Sequence, residues 1–244
     1  MYHRLKYSSI ALALAAVCCL AGCNHAQTKT ATATPPSAAS TAAYHAAFTT
    51  WSTQSQHDAE RLLENDVIIY PNDQRLAFFR AACMRSRFDI PKARPLLEKV
   101  VELDANSSMG QCASDILRLD EGADLVASSN NLNALSEQKP VDPIVLWLNG
   151  IECRSFHQSE EGVRVYKQLL SIIPKPGPVL AHQTYANMLD ETGDHKEALV
   201  HRLIAVKQEP APWSYNGLAN TLDRLGRPED AAKVRQAAAE GFRQ

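Results

Sequence analysis

Residues 189–210 read LDETGDHKEALVHRLIAVKQEP. The stretch joins the signals that stop one helix to those that start and stop the next. Gly193 supplies a residue able to take the left-handed conformation that ends a helix. Asp194 is placed to N-cap the following helix, with Glu197 in position to complete a reciprocal cap, and Pro210 ends that second helix. Ala198 stands twelve residues before Pro210, and Ala186 stands twelve before Ala198. Antiparallel helices approach closely only where side chains are small. Paired alanines at this spacing therefore predict a hairpin that crosses at Ala186 and Ala198.

The same ladder recurs along the chain. Ala47, Ala59 and Pro71 are twelve apart, as are Ala81, Ala93 and Ala105, and Gly150, Gly162 and Pro174. Ala219 and Ala231 repeat it near the end. Most units start 33 to 36 residues apart; across the middle, Ala113 follows Ala81 by 32 and precedes Gly150 by 37. No small residue follows Ala113 at twelve, where Leu125 stands, so this third unit is expected to be degenerate or to carry an insertion around DEGADLV. The turns read FHQSEEG, ETGDHKEA and RLGRPEDA, with Gly226 as a second left-handed cap, Ser159 as an expected N-cap, and Pro228 in a first turn. Apolar residues at helical spacing, among them Leu62, Leu63 and Val67, or Val163, Tyr166, Leu169 and Leu170, complete a packing face. No hairpin of this size buries enough surface alone, so the units must stack.

This pattern resembles the tetratricopeptide repeat, a unit of about 34 residues with the signature W-x2-L-G-x2-Y…A-x3-F…P. The residues that carry the resemblance are Gly150, Gly162, Tyr166 and Pro174 in one unit. In the next they are Tyr185, Ala186, Leu189, Gly193, Ala198 and Pro210, and in the last Tyr215, Leu218, Ala219, Leu222, Gly226 and Ala231. The resemblance implies an all-α fold, a right-handed superhelical solenoid of antiparallel helix hairpins. Its units fall at about 40–73, 74–105, 106–141, 142–176, 179–211 and 212–244, within a domain spanning 43–244.

The first residues read differently. MYHRLKYSS carries Arg4 and Lys6 with no acid, and IALALAAVCCLAG is an apolar run too short for a comfortable membrane span. Leu20-Ala21-Gly22-Cys23 resembles the lipobox of bacterial lipoproteins, which implies a signal peptide over 1–22 and a lipidated Cys23. Each buried acyl methylene contributes about 0.8 kcal/mol, so multiple acylation at Cys23 would give a lasting anchor. Asn24, where the retention rule of such proteins has Asp, implies the outer membrane, with the folded part on the periplasmic side. Residues 23–42 are rich in Ala, Thr, Ser and Pro, so a disordered tether is expected after the cysteine, with a reach of roughly 25 Å.

From Cys23 onward the chain holds 23 basic against 27 acidic residues and no basic block, which argues against nucleic acid as a partner. GxGxxG, GxxxxGK[ST], GxSxG and HExxH are all absent. His157, Glu160 and Glu161 straddle a turn, and His195 and His201 stand at i and i+6, so neither set is expected to converge on a metal or a reacting group. No catalytic residue, cofactor or metal is expected. Cys83 and Cys112 lie close to the crossings of successive first helices, within expected bridging reach; two neighbouring reduced thiols are the alternative, and Cys153 is expected as a packed free thiol.

In tetratricopeptide arrays the first helices line a concave groove at fixed offsets from the small crossing residue. Carried over by register, the groove residues here are Arg75, Phe78 and Arg85, then Trp147 and Arg154, then Asn187 and Asp190, and finally Trp213, Asn216, Asn220 and Asp223. Phe78 and Asn216 stand where the subclass that clamps carboxylate tails has lysine, so an acidic C-terminal tail is not the implied ligand. The expectation is a non-catalytic, membrane-anchored scaffold or assembly factor that holds a peptide or protein partner in this groove. By architecture it looks like the pilotin lipoproteins of type IV pilus systems. An adaptor for cell-wall enzymes, or an enzyme with its site in the third unit, are the competing expectations.

Overall fold

The computed structural model describes residues 35–122 and 124–241. Arg4, Lys6, the apolar run, Cys23 and Asn24 lie outside the described residues, as do 242–244. Among the described residues every regular element is an α-helix, and consecutive helices pair as hairpins. These are α1 (Ala38–Thr53) with α2 (Gln56–Ile69), α3 (Gln74–Ser86) with α4 (Ile90–Leu103), and α5 (Ser108–Asp120) with α6 (Leu125–Glu137). Then follow α7 (Pro143–Ser155) with α8 (Ser159–Ile172), α9 (Val179–Thr192) with α10 (His195–Gln208), and α11 (Pro212–Arg224) with α12 (Pro228–Gly241). The expected all-α repeat architecture is what the chain adopts. None of the described helices is long and apolar enough to cross a membrane.

The small ladder sits where the helices cross. Ala47, Ala59, Ala81, Ala93, Ala113, Ala186, Ala198, Ala219 and Ala231 have no exposed surface. At Gly150 the approach is closer still: a Cβ there would come 2.6 Å from Cε2 of Tyr166 on the paired helix. Seven residues after the crossing residue, Phe88, His157, Gly193 and Gly226 all have positive φ. In two units the chain thus accepts a strained side chain in the turn where the other two use glycine. The third unit keeps the hairpin and loses that register. Its positive-φ residue is Gly122, nine after Ala113, and residues 121–124 separate its helices.

Several local expectations change. Residues 38–42, expected in the tether, belong to α1, whose start is fixed by Ser37 accepting from the Ser40 amide. Asp194 does N-cap α10, accepting from the Glu197 amide at 3.2 Å. Glu197 does not reciprocate; its carboxylate accepts the Tyr185 hydroxyl at 3.0 Å. Ser159 is the first residue of α8 rather than its cap, which is Gln158. Cys83 and Cys112 are not bridged: both, like Cys153, are free, buried thiols.

Candidate functional site

The first four units close their inner face upon themselves. α3 packs directly against α7, although α4, α5 and α6 lie between them in sequence. Trp147, expected in an open groove, is fully buried, its ring 4.8 Å from that of Trp51 and edge-on to Phe79 at 6.3 Å. Phe78 is equally buried. Trp147 is a core residue because Trp51 of α1 and Phe79 of α3 supply the apolar surface that a solvent-filled groove would have lacked.

Arg85 is likewise withdrawn from any ligand. Its Nε and Nη2 donate to Glu152 at 2.7 and 3.0 Å, and Nη1 donates to Asp120 at 2.8 Å. The three residues come from α3, α7 and α5, so one guanidinium ties together three hairpins. Burial alone would draw the Arg85 pKa down; the carboxylates of Glu152 and Asp120 outweigh it and hold the group charged. At the ends of this closed region Arg75 bonds Asp73 at 2.7 Å and lies over the Tyr44 ring, and Arg154 lies 4.9 Å from the Phe88 ring. Both are half-buried.

In the last two units the expected groove residues meet an arginine from their own second helix. Arg202, on α10, donates to Asn187 at 2.6 Å and Asp190 at 3.2 Å, and also bonds Gln183. Arg235, on α12, donates to Asn220 at 3.2 Å and Asp223 at 2.5 Å. Each residue of the second set lies 33 positions after its counterpart in the first. The asparagine and aspartate rows are therefore internal clamps between paired helices, each aspartate being met by an arginine of its own unit. Sequence reasoning missed Arg202 and Arg235; their spacing, equal to that of the rows they serve, is the signal that would have found them. Asp190 is consequently buried, whereas Asn216, Asn220 and Asp223 remain exposed.

A concavity lies where the α1–α2 turn faces the beginnings of α9 and α11. It has a volume of about 270 Å³ and is lined by Trp51, Gln56, Glu60, Leu180 and Trp213, among others. Trp213 is 42% exposed, the one tryptophan of the three that reaches solvent. Glu60 is paired with Arg87 at the rim. Behind the wall, Trp51 Nε1, Gln56 Oε1 and Glu60 Oε2 are buried and have no hydrogen-bond partner. Buried polar atoms are usually satisfied, and this corner gathers three of the exceptions. Elsewhere His157, Glu160 and Glu161 share a shallow depression, but Arg164 ties up Glu161. Among the described residues no three metal-ligating side chains converge.

These features define a helical repeat protein of the tetratricopeptide-like kind. No family model matches the sequence, and no curated protein matches it. Solved structures share the fold. MamA of AMB-1 aligns with a TM-score of 0.51 at 19% identity, covering 68% of this chain and 90% of that one. MamA of MSR-1 gives 0.52 at 18%, covering 68% and 95%. PilW, described as a widely conserved type IV pilus biogenesis factor, gives 0.52 at 14%, covering 85% of this chain and 95% of its own. At such identities the likeness is one of fold.

Proposed function

We propose that this chain is a non-catalytic scaffold that holds a partner protein at the corner between the α1–α2 turn and the start of α11. The observation that carries the reading is Trp213. A large, half-exposed aromatic at the mouth of a concavity is the kind of side chain that dominates interface energies. The concavity, at about 270 Å³, falls below the roughly 300–1,000 Å³ usual for small-molecule sites and suits one or two inserted side chains. The unsatisfied polar atoms behind the wall support the same corner, since local rules are most often broken at functional sites.

Anchoring by a lipid on Cys23, with the array hung at the outer membrane on its periplasmic side, belongs to this proposal. So does a pilotin-like part in assembling an envelope machine, which the likeness of fold to PilW makes worth testing. A photo-crosslinking residue at 213 in intact cells should capture one dominant protein. Trp213→Ala should then weaken binding of the captured protein about tenfold or more with the melting point little changed, while charge reversal at the exposed Lys167 leaves it as it was. If the Lys167 change abolishes capture and Trp213→Ala does not, the corner is the wrong surface. Cys23→Ser should abolish lipid labelling; unchanged fractionation with the outer membrane would remove the anchor from the proposal.

A further inference from the structure

The last described hairpin shows to solvent the counterparts of side chains that lie covered in the hairpin before it. In the fifth unit α11 lies over the Arg202 clamp, and three of its positions fit that clamp. Gly217 faces the guanidinium, where a Cβ would come 2.7 Å from Nη1 of Arg202. Four residues on, the Thr221 hydroxyl donates to Asp190 Oδ2 at 2.6 Å, and three further on Arg224 Nη1 donates to the Asp190 carbonyl at 2.8 Å. Under this cover the Arg202 and Asp190 side chains are 5% and 4% exposed. The equivalent Arg235 and Asp223, holding the same bond, are 46% and 40% exposed. Asn220 and Asn216 beside them are exposed as well.

We infer that the outer face of α11 and α12 is a second docking surface, separate from the Trp213 corner, and that its occupant is an α-helix of another protein patterned as small–x3–Thr/Ser–x2–Arg. The pattern is taken from the interface that the chain already makes with an almost identical set of groups. The small residue gives Arg235 room, the hydroxyl donates to Asp223, and the arginine caps the Asp223 carbonyl while its charge complements the carboxylate. A second copy of this chain is a poor occupant. Its first helix, the one that head-to-tail stacking would bring here, has His45, Thr49 and Ser52 in the register of Gly217, Thr221 and Arg224. The His45 ring would fall on Arg235, and Ser52 is buried in its own core and carries no charge. α11 itself is committed to the fifth unit.

A stapled, fluorescent helix with the sequence of residues 212–224 serves as the probe, titrated with the full chain and followed by anisotropy. Saturable binding is expected. It should weaken at least tenfold when the chain carries Asp223→Ala or Arg235→Ala, and equally when the probe carries Gly217→Leu or Thr221→Val. Both chain substitutions fall on an exposed pair, so the helical circular-dichroism signal should hold; that measurement separates lost docking from lost fold. Binding that ignores Asp223→Ala would mean that the probe only displaces α11 from the fifth unit, and it would overturn the inference. So would the absence of saturation, or a chain whose sedimentation shows self-association that Asp223→Ala abolishes. Neither result bears on Trp213, so the two surfaces stand or fall apart.

Discussion

Arg202 and Arg235 hold the same pair of acceptors in adjacent units, and their surroundings are opposite. One bond lies beneath a hairpin and the other lies in water. An exposed ion pair adds little, because water already stabilises both charges. A covered pair has lost that water, so removing one partner strands the other in a low-dielectric interior. Equivalent residues in a repeat array thus differ in what they do for stability according to what lies on top of them.

Substitution should expose the difference most strongly at the clamps themselves. Arg202→Met should lower stability by about 3 kcal/mol, since Asp190 stays buried with Thr221 and His195 as its remaining side-chain partners. Arg235→Met should cost less than about 0.5 kcal/mol. Urea unfolding followed by circular dichroism measures both, and equal losses would break the contrast.

A smaller effect is expected from acid. The fifth unit holds a histidine pair that the sixth lacks, where Tyr215 and Val234 stand in register. His182 Nε2 donates to the Pro176 carbonyl at 2.6 Å, so its Nδ1 accepts from Nδ1 of His201 at 2.7 Å. Burial lowers both pKa values, with Lys175 adding to the effect in each, and the neighbouring His182 ring helps bring His201 down to about 4. Lowered folded-state values mean that the unfolded chain takes up protons first as the pH falls. Stability present above about pH 6.5 should therefore be lost progressively toward about pH 4. In His201→Val, which copies the sixth unit, the melting temperature should fall less between pH 7 and pH 5 than in the natural chain. A steeper fall in the variant would remove the pair as the cause.

The smallest difference lies in the turns. Gly193 and His157 hold the same positive-φ position in adjacent units. A side chain there costs roughly 1 kcal/mol, so His157→Gly should stabilise by about 0.5–1 kcal/mol and Gly193→Ala should destabilise by about as much. Thermal melts of the two variants should move in opposite directions.

What was legible in the sequence follows from the range of the interaction involved. The hairpins could be read because a close helix crossing restricts residue type locally: only a small residue fits at 186 and 198, and at 150 even a Cβ would meet the Tyr166 ring. Trp147 and Arg85 could not be read, because their burial depends on α3 reaching α7. Arg85 meets Glu152 across 67 residues. No periodicity within one unit encodes how strongly successive units turn. The groove rows fall between these cases. Their recurrence was visible, but an asparagine that grips a ligand and one that grips its own unit's arginine look alike until the second helix is placed. The Trp213 corner depends on the α1–α2 turn meeting α9 and α11, and sequence alone showed only its tryptophan.

Cys83, Cys112 and Cys153 lie in three successive units, and burial raises the pKa of each, that of Cys153 to about 12. On the order of one Cys153 thiol in 10⁵ is then ionised at pH 7. In the closed array these sulfurs are too weakly nucleophilic and too deeply placed to exchange with passing disulfides. They react when a hairpin lifts, at a rate set by the fraction of time it stands open. The rate at which a maleimide labels each one is therefore a local clock for breathing in the second, third and fourth units. It would report, from the chain's own cysteines, whether a partner seated at the corner quiets the whole array or only the end it touches.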